Sequence, residues 1–356
     1  MKLLHTADLH LNEQAPERWA ALAELAKTAK REQVEALVIA GDLFDRDVEA
    51  EMLRSRLRET LGSGSFLTVI IPGNHDSRAY CSGLFFGEGV RVITDWRRPV
   101  CLGDVELWGL PYEPLEGEKL AGRLLDISSL MNPDKNNCLI FHGELLDAYF
   151  SARDSGPEGN RRYMPVKLSY FSSLPLQYVL AGHFHSRHSA WQLPGGGYFV
   201  YPGSPVAVTK RETGRRSASL ITPEKPPVEM PLDTFHYEEI RVILDPFTEN
   251  DPLAAIRERI GKVDPAAGVL LTVDGLFNGS LISLSEAQLA SEIKKIPGKR
   301  WAAPPVLNFS DVRHVLQDDL FRRFESILAV KDYSPEQKKK IKEMAVRAFR
   351  VVKTCS

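Results

Sequence analysis

The first half of the chain alternates short apolar runs with longer amphipathic segments. The apolar runs at residues 3–7, 36–40 and 66–71 have the length of strands. Between them, residues 17–31 and 48–60 place apolar side chains at helical spacing. This alternation of strand and helix predicts a layered α/β fold with right-handed crossovers.

The pattern changes twice in the second half of the chain. Further strands are predicted at residues 90–93, 106–109, 137–141 and 178–181, with a hairpin around 194–197. A proline-rich stretch at 223–227 indicates a boundary, and a second break at 302–305 precedes two amphipathic segments of helical spacing. The last of these is predicted to begin after Ser334 as N-cap, with Pro335 at the first helical position and Gln337 closing a capping box with Ser334. We expect three domains, at residues 1–230, 236–300 (small α/β) and 301–356 (a helical tail).

Composition restricts the class of protein. The 356 residues are 43% hydrophobic and 26% charged, which is typical of a soluble globular chain and excludes intrinsic disorder. The longest apolar runs are of strand length, so no membrane span is predicted. Polar residues interrupt the N-terminus too early for a secretory signal, and we expect a cytoplasmic protein.

Neither the cysteines nor the net charge indicates a binding partner. The four cysteines are scattered without a CxxC pair, which argues against a zinc ribbon or a disulfide framework. The formal net charge is −2, so any surface that binds nucleic acid must be local, or completed by metal ions or a partner.

Five short polar motifs directly follow predicted strands. In open α/β sheets, ligands bind beyond the carboxyl ends of the strands, so loops far apart in sequence can converge there. The motifs are Asp8-Leu9-His10, Gly41-Asp42-Leu43-Phe44-Asp45, Gly73-Asn74-His75-Asp76, Phe141-His142-Gly143 and Gly182-His183-Phe184-His185.

The side chains in these motifs are typical metal ligands. They supply carboxylates, imidazoles and one amide but no thiolate, a set that suits Mn²⁺, Fe or Zn²⁺. Taken singly, a histidine can be a core residue and Asn74 a turn residue. The complete set exceeds the needs of one ion and indicates two divalent ions roughly 3.5–4 Å apart, bridged by a carboxylate and able to bind phosphate oxygens.

The ordered set closely resembles that of the calcineurin-like metallophosphoesterases. This resemblance implies a four-layer α/β/β/α sandwich with a two-metal site. It also implies roles for individual motif residues: His75 would contact the scissile phosphate and assist the leaving oxygen, and Asp45 would orient His75. The implied metal ligands are Asp8, His10 and His185 for one ion, Asn74, His142 and His183 for the other, and Asp42 as the bridge.

Within this superfamily the chain is most similar to the SbcD-type DNA-repair exonucleases, the meiotic-recombination-eleven family. The likeness covers roughly residues 1–210 and includes His5-Thr6-Ala7-Asp8-Leu9-His10-Leu11 and Tyr201-Pro202-Gly203-Ser204-Pro205. It implies a Mn²⁺-dependent exonuclease or endonuclease that acts on DNA ends in double-strand-break repair. It further implies a capping domain, a homodimer, and C-terminal helices that dock on an SMC-like ATPase of the SbcC type.

Contacts with DNA are predicted only from local charge. Arg161, Arg162, Lys210 and Arg211 form two basic clusters that could neutralise phosphates, although such clusters are often solvated surface. Two other classes of function stay open. One is a cyclic-nucleotide or small-molecule phosphodiesterase or phosphatase, and the other is a non-catalytic scaffold that binds DNA ends.

Overall fold

Sixteen strands and nine helices were identified in a computed structural model that describes residues 1–62, 65–80, 84–148, 162–247, 251–296 and 300–354. The strands are β1 (Leu3–Thr6), β2 (Ala36–Ala40), β3 (Leu67–Ile71), β4 (Val90–Val92), β5 (Val100–Leu102), β6 (Val105–Leu110), β7 (Asn136–His142), β8 (Tyr178–Gly182), β9 (Ser189–Gln192), β10 (Tyr198–Tyr201), β11 (Ser217–Ile221), β12 (Val228–Pro231), β13 (His236–Leu244), β14 (Ala267–Phe277), β15 (Arg300–Trp301) and β16 (Val306–Asp311). The helices are α1 (Pro16–Arg31), α2 (Glu49–Leu61), α3 (Gly117–Leu130), α4 (Pro252–Gly261), α5 (Gly279–Ile282), α6 (Glu286–Lys294), α7 (Arg313–Leu316), α8 (Asp319–Ala329) and α9 (Pro335–Thr354), and a 3-10 turn covers Leu168–Phe171.

The described residues divide into two compact units, Met1–Tyr237 and Glu238–Ser356. The first unit contains two six-stranded sheets, ordered β12-β11-β1-β2-β3-β4 and β5-β6-β7-β8-β10-β9. Strands β1 to β4 pair in parallel, as do β6, β7, β8 and β10. Each sheet therefore gathers the carboxyl ends of its central strands at one edge.

Successive side chains along each strand point to opposite faces of the sheet and so belong to different apolar layers, of which the first unit has three. In β2, Leu37 and Ile39 face α1 and α2, while Val38 points into the space between the two sheets. In β7, Ile140 joins that inner layer, and Phe141 packs on the side of α3. This two-residue period produces helix, sheet, sheet and helix in order, and the predicted four-layer α/β/β/α sandwich is confirmed.

The second unit is a small α/β body with its own core. Its sheet has the order β13-β14-β15, and β16 also pairs with β14. Helices α4 and α6 bury Ile256 and Leu289 in the same apolar cluster as this sheet. A further cluster joins α7, α8 and α9 through Val315, Phe321 and Val346.

Two features near the predicted boundaries differ from the sequence pattern. The segment after the prolines at 223–227 continues the first unit, because β12 adds to the first sheet by antiparallel pairing with β11. The segment 301–356 is not helical from its start, since β16 runs parallel to β14 and buries Phe309. The capping box of α9 is confirmed: Gln337 N donates to Ser334 Oγ, and Ser334 N donates to Gln337 Oε1.

Candidate metal centre

The five strand-end loops meet at one place in the first unit. Potential metal-binding atoms form three overlapping groups, and within each group all atoms lie within 4.8 Å of one another. The groups are Asp8, His10 and His185; His10, Asp42 and His75; and Asp8, Asp42 and His142. Shared members make the three groups one continuous cluster of carboxylates and imidazoles.

An unusual backbone conformation turns these side chains inward. Asp8, His10, Asp42 and His183 have φ values of 58°, 48°, 51° and 104°, in a region that side chains other than glycine rarely adopt. Each such residue costs of order 1–3 kcal/mol, so the surrounding packing must hold it there. Strain of this kind clusters at functional sites, and here it coincides with four of the predicted ligands.

Two glycines allow the loops to approach this closely. A Cβ at Gly73 would lie 2.2 Å from Asp42 Oδ1, and a Cβ at Gly182 would lie 2.0 Å from the Ala40 carbonyl oxygen. Both distances are far below van der Waals contact. Glycine at these strand ends is therefore a condition for assembling the cluster.

Asp8 and Asp42 are two almost fully buried carboxylates at the middle of the cluster. Both Asp8 oxygens accept from His183 N, at 3.1 and 3.0 Å, and Asp42 Oδ1 accepts from His75 N at 2.9 Å. Burial raises the pKa of Asp8. Burial also acts on Asp42, but His142, His10 and His75 outweigh it and hold the pKa of Asp42 below its ordinary value.

His142 contacts the end of β2 and the loops that follow β2 and β3. Its Nδ1 lies 2.7 Å from the Ala40 carbonyl and therefore carries the hydrogen, because that oxygen can only accept. Its Nε2 lies 3.3 Å from Asp42 Oδ2 and 3.0 Å from Asn74 Oδ1. Burial by itself lowers the pKa of His142, but the carboxylates of Asp42 and Asp8 outweigh burial and raise the pKa to about 10. The oxygens of Asp42 and Asn74 near His142 Nε2 favour positive charge between these three side chains.

His10, His75 and His185 form the other side of the cluster. His10 Nε2 lies 3.2 Å from His185 Nε2, and the His10 and His75 rings meet edge to face with centroids 4.7 Å apart. His75 Nδ1 lies 3.2 Å from the main-chain carbonyl oxygen of Asp45.

The Asp45 carboxylate contacts His10 and Arg18. Its Oδ1 lies 3.5 Å from His10 Nδ1 and accepts from Arg18 Nη1 at 3.1 Å. The contact with His10 and the charge of Arg18 outweigh partial burial and lower the pKa of Asp45 to about 2. Asp45 thus faces His75 with its backbone oxygen and His10 with its side chain, whereas the resemblance implies a side-chain contact with His75.

Three carboxylates to which the motifs assign no role support these loops. Asp76 accepts from Gly73 N, Phe44 N and Tyr80 Oη at 2.7, 3.1 and 2.7 Å, and so ties the loop after β3 to the loop after β2. Glu144 Oε1 lies 4.0 Å from His183 Nε2, and Glu212 Oε1 lies 3.3 Å from His185 Nδ1. Asp76 stands in the third motif and Glu144 shortly after the fourth, but Glu212 has no local signal.

Three of the four predicted DNA contacts can be placed. Arg162 is exposed and pairs with Glu144 Oε2 at 2.8 Å, and the other oxygen of Glu144 lies 4.0 Å from His183 Nε2. Lys210 and Arg211 are exposed and immediately precede Glu212. Arg161 lies outside the described residues.

The donor set fits two divalent cations. Two carboxylates, four imidazoles and the Asn74 amide oxygen converge, and neither cysteine in the described part of the chain joins them. Cys138 is buried in the layer between the sheets, and Cys101 is exposed in β5. Oxygen and imidazole ligands of this kind suit Mn²⁺, Fe or Zn²⁺.

Residues 1–187 match the family model of the calcineurin-like phosphoesterases. The chain therefore belongs to this family, whose members bind divalent metals and hydrolyse phosphoesters. Among the described helices, none has the length and apolar character needed to cross a bilayer.

Individual relatives match this chain at low identity and over part of its length. The DNA double-strand break repair protein Mre11 of Sulfurisphaera tokodaii is 23% identical over 233 residues, which cover 59% of this chain and 55% of that protein. The SbcD component of the nuclease SbcCD of Bacillus subtilis is 36% identical over 150 residues, 38% of this chain and 34% of that protein. The chain thus spans about half, or less, of the length of these relatives. Among solved structures, a dimetal phosphatase from Danio rerio aligns with a TM-score of 0.45 at 12% identity, covering 65% of this chain and 96% of that one.

Proposed function

We propose that this phosphoesterase is a DNA nuclease that hydrolyses phosphodiester bonds at DNA ends in double-strand-break repair, with two Mn²⁺ ions as its cofactor. The observation that carries the proposal is the continuous cluster around Asp8 and Asp42, with His75 at its edge. The names of the relatives, the double-strand break repair protein Mre11 and the nuclease SbcCD, support DNA as the substrate.

The proposed ligands are those that the family resemblance implies. One ion would take Asp8, His10 and His185, the other Asn74, His142 and His183, and Asp42 would bridge them. When bound, such a pair neutralises phosphate charge and activates water at neutral pH. The chain contributes the arrangement: main-chain N–H groups and carbonyls fix the carboxylates and rings before substrate arrives.

His75 is proposed as the residue that acts on the leaving oxygen. The Asp45 carbonyl accepts from Nδ1 at 3.2 Å and so sets the plane of the ring. Nε2 would then donate a proton to the oxygen that leaves the phosphorus. In this role the backbone of Asp45, rather than its carboxylate, orients His75.

Substrate and partner contacts follow from exposed residues. Arg162 beside His183, and Lys210 with Arg211 beside Glu212, would contact DNA phosphates without reading sequence. In the second unit, α8 exposes Leu320 (64%) and Ile327 (55%), seven residues apart on one face. We propose that residues 236–300 act as a capping domain and that this face of the segment 301–356 binds an SMC-like ATPase of the SbcC type.

Hydrolysis of two substrates tests the proposed function. End-labelled linear DNA and bis-p-nitrophenyl phosphate are incubated with Mn²⁺ or EDTA, using wild type and Asp42→Asn. We expect Mn²⁺-dependent degradation of DNA by wild type alone. Turnover of the small diester, with DNA left intact even when the ATPase partner is added, would instead identify a small-molecule phosphodiesterase. If neither substrate is hydrolysed under any condition, the result would favour a non-catalytic scaffold that binds DNA ends.

A further inference from the structure

Glu212 is a buried carboxylate that reaches the metal centre from outside the five strand-end loops. Its side chain is 2% exposed, and its Oε1 lies 3.3 Å from His185 Nδ1. The same oxygen accepts from Thr209 N at 3.1 Å and from Thr209 Oγ1 at 2.9 Å. Oε2 accepts from Val208 N at 2.7 Å and from Ser204 Oγ at 3.2 Å. Main-chain and hydroxyl donors therefore hold Glu212 in one orientation.

The contact with Glu212 determines which nitrogen of His185 carries the hydrogen. A carboxylate surrounded by main-chain donors accepts, so His185 Nδ1 must donate to it. The lone pair then belongs to Nε2, which points into the cluster, 3.8 Å from Asp8 Oδ1 and 3.2 Å from His10 Nε2. A metal ion needs this lone pair, and a hydrogen bond from the other ring nitrogen is the usual way to present it.

Arg216 holds the backbone at His185. Its guanidinium is buried and donates to the carbonyl oxygens of His185, Ser186 and Ser204. The ring of His185 is thus fixed at Nδ1 by Glu212 and at its main chain by Arg216. Neither residue stands in a motif that contributes a proposed ligand.

We propose that Glu212 is a positioning residue of the metal centre, which fixes the ring and the tautomer of His185 and thereby sets the affinity of the cation site formed with Asp8 and His10. The inference rests on the proposed two-ion centre and extends it. Lys210 and Arg211 are exposed and immediately precede Glu212 in the chain.

The test compares Glu212→Gln with a matched control, Glu49→Gln. Glu49 is also a buried glutamate, but it pairs with Arg46 and contacts none of the proposed ligands among the described residues. Mn²⁺ is titrated calorimetrically into wild type and both variants. In parallel, the ¹⁵N shifts of histidine-labelled, metal-free protein report the tautomer of His185. Circular dichroism and thermal melting verify that each variant is folded.

For Glu212→Gln we expect the affinity of one of two Mn²⁺ sites to fall by about 10- to 100-fold, with the other site unchanged. The His185 spectrum should also shift away from the Nδ1–H form, since glutamine can present an N–H to the ring. Diester hydrolysis should recover at saturating Mn²⁺. Glu49→Gln should match wild type in Mn²⁺ affinity and in the His185 spectrum.

Two results would overturn the inference, and they differ in their wider consequence. If folded Glu212→Gln binds both ions as wild type does and keeps the Nδ1–H form, Glu212 does not position His185, while the proposed function stands. If wild type itself binds no Mn²⁺, the proposed function and the inference fall together.

Discussion

Replacing Gly182 by alanine tests whether close approach of the strands assembles the centre. The new Cβ would lie 2.0 Å from the Ala40 carbonyl oxygen and 2.9 Å from His142 Nδ1. To reach even a tight contact, the end of β8 and the end of β2 must separate by about 1 Å, and backbone cannot yield as a flexible side chain does. The Ala40 oxygen is also the acceptor that fixes His142.

The cost follows from overpacking. Forcing atoms into a well-packed interior costs about 1–3 kcal/mol, and a main-chain obstacle puts Gly182→Ala at the upper end. In a unit of this size each kcal/mol lowers the melting temperature by about 2–4 °C. We expect a decrease of roughly 6–12 °C, together with a loss of at least about tenfold in Mn²⁺ affinity as His142 moves.

Gly122→Ala is the matched control for this substitution. Gly122 lies in α3, and a Cβ there would meet nothing within 4 Å. Alanine in a helix should stabilise the chain by about 0.5–1 kcal/mol. Thermal melts and Mn²⁺ titrations of both variants provide the comparison. A Gly182→Ala variant that melts within about 2 °C of wild type and binds Mn²⁺ normally would refute the reasoning.

Three further predictions concern other parts of the chain. Burial, aided by His188, lowers the pKa of His5 to about 3, so between pH 6.5 and 3 the unfolded chain binds a proton that the folded chain does not. The free energy of unfolding should therefore be fully retained above pH 6.5, the ordinary pKa of histidine, and fall as the pH decreases toward 3. In urea titrations, His5→Leu should weaken this pH dependence, and an unchanged dependence would contradict the prediction. Lys210→Ala with Arg211→Ala should weaken DNA binding and lower its salt dependence by about two counterions, as measured by fluorescence anisotropy, whereas an unchanged slope would exclude phosphate contacts there. Leu320→Asp with Ile327→Asp should abolish co-purification with the ATPase partner and leave diester hydrolysis intact; retained association would exclude this face.

The apolar pattern predicts most of the fold because local period and burial agree in the first unit. Helix α2 and strands β2 and β3 lie within a residue or so of the predicted segments. Strand β12, directly after the prolines at 223–227, is not predicted, since it depends on pairing with β11 and not on local preference. Strand β16 escapes prediction for a similar reason: of its six residues only Phe309 is fully buried, and pairing with β14 makes it a strand.

The sequence motifs predict the side chains that could bind metal, but they do not predict the groups that orient those side chains. Strand ends are visible in sequence because Asp, His and Gly follow apolar runs. Glu212 is separated from His185 by 27 positions and lies in a turn without periodicity. Asp45 shows a second limit, because sequence cannot tell whether its carboxylate or its backbone oxygen faces His75.

The most direct test of the proposed nuclease is the hydrolysis of end-labelled DNA in Mn²⁺ by wild type and His75→Ala, with Mn²⁺ and DNA binding measured on the same samples. Wild type should degrade DNA, and the variant should lose about 10²- to 10⁴-fold in rate, the range for removing a proton donor, while still binding two ions and DNA. If His75→Ala degrades DNA at the wild-type rate, or if wild type binds two ions yet cleaves no DNA even with the ATPase partner, the proposed function is contradicted.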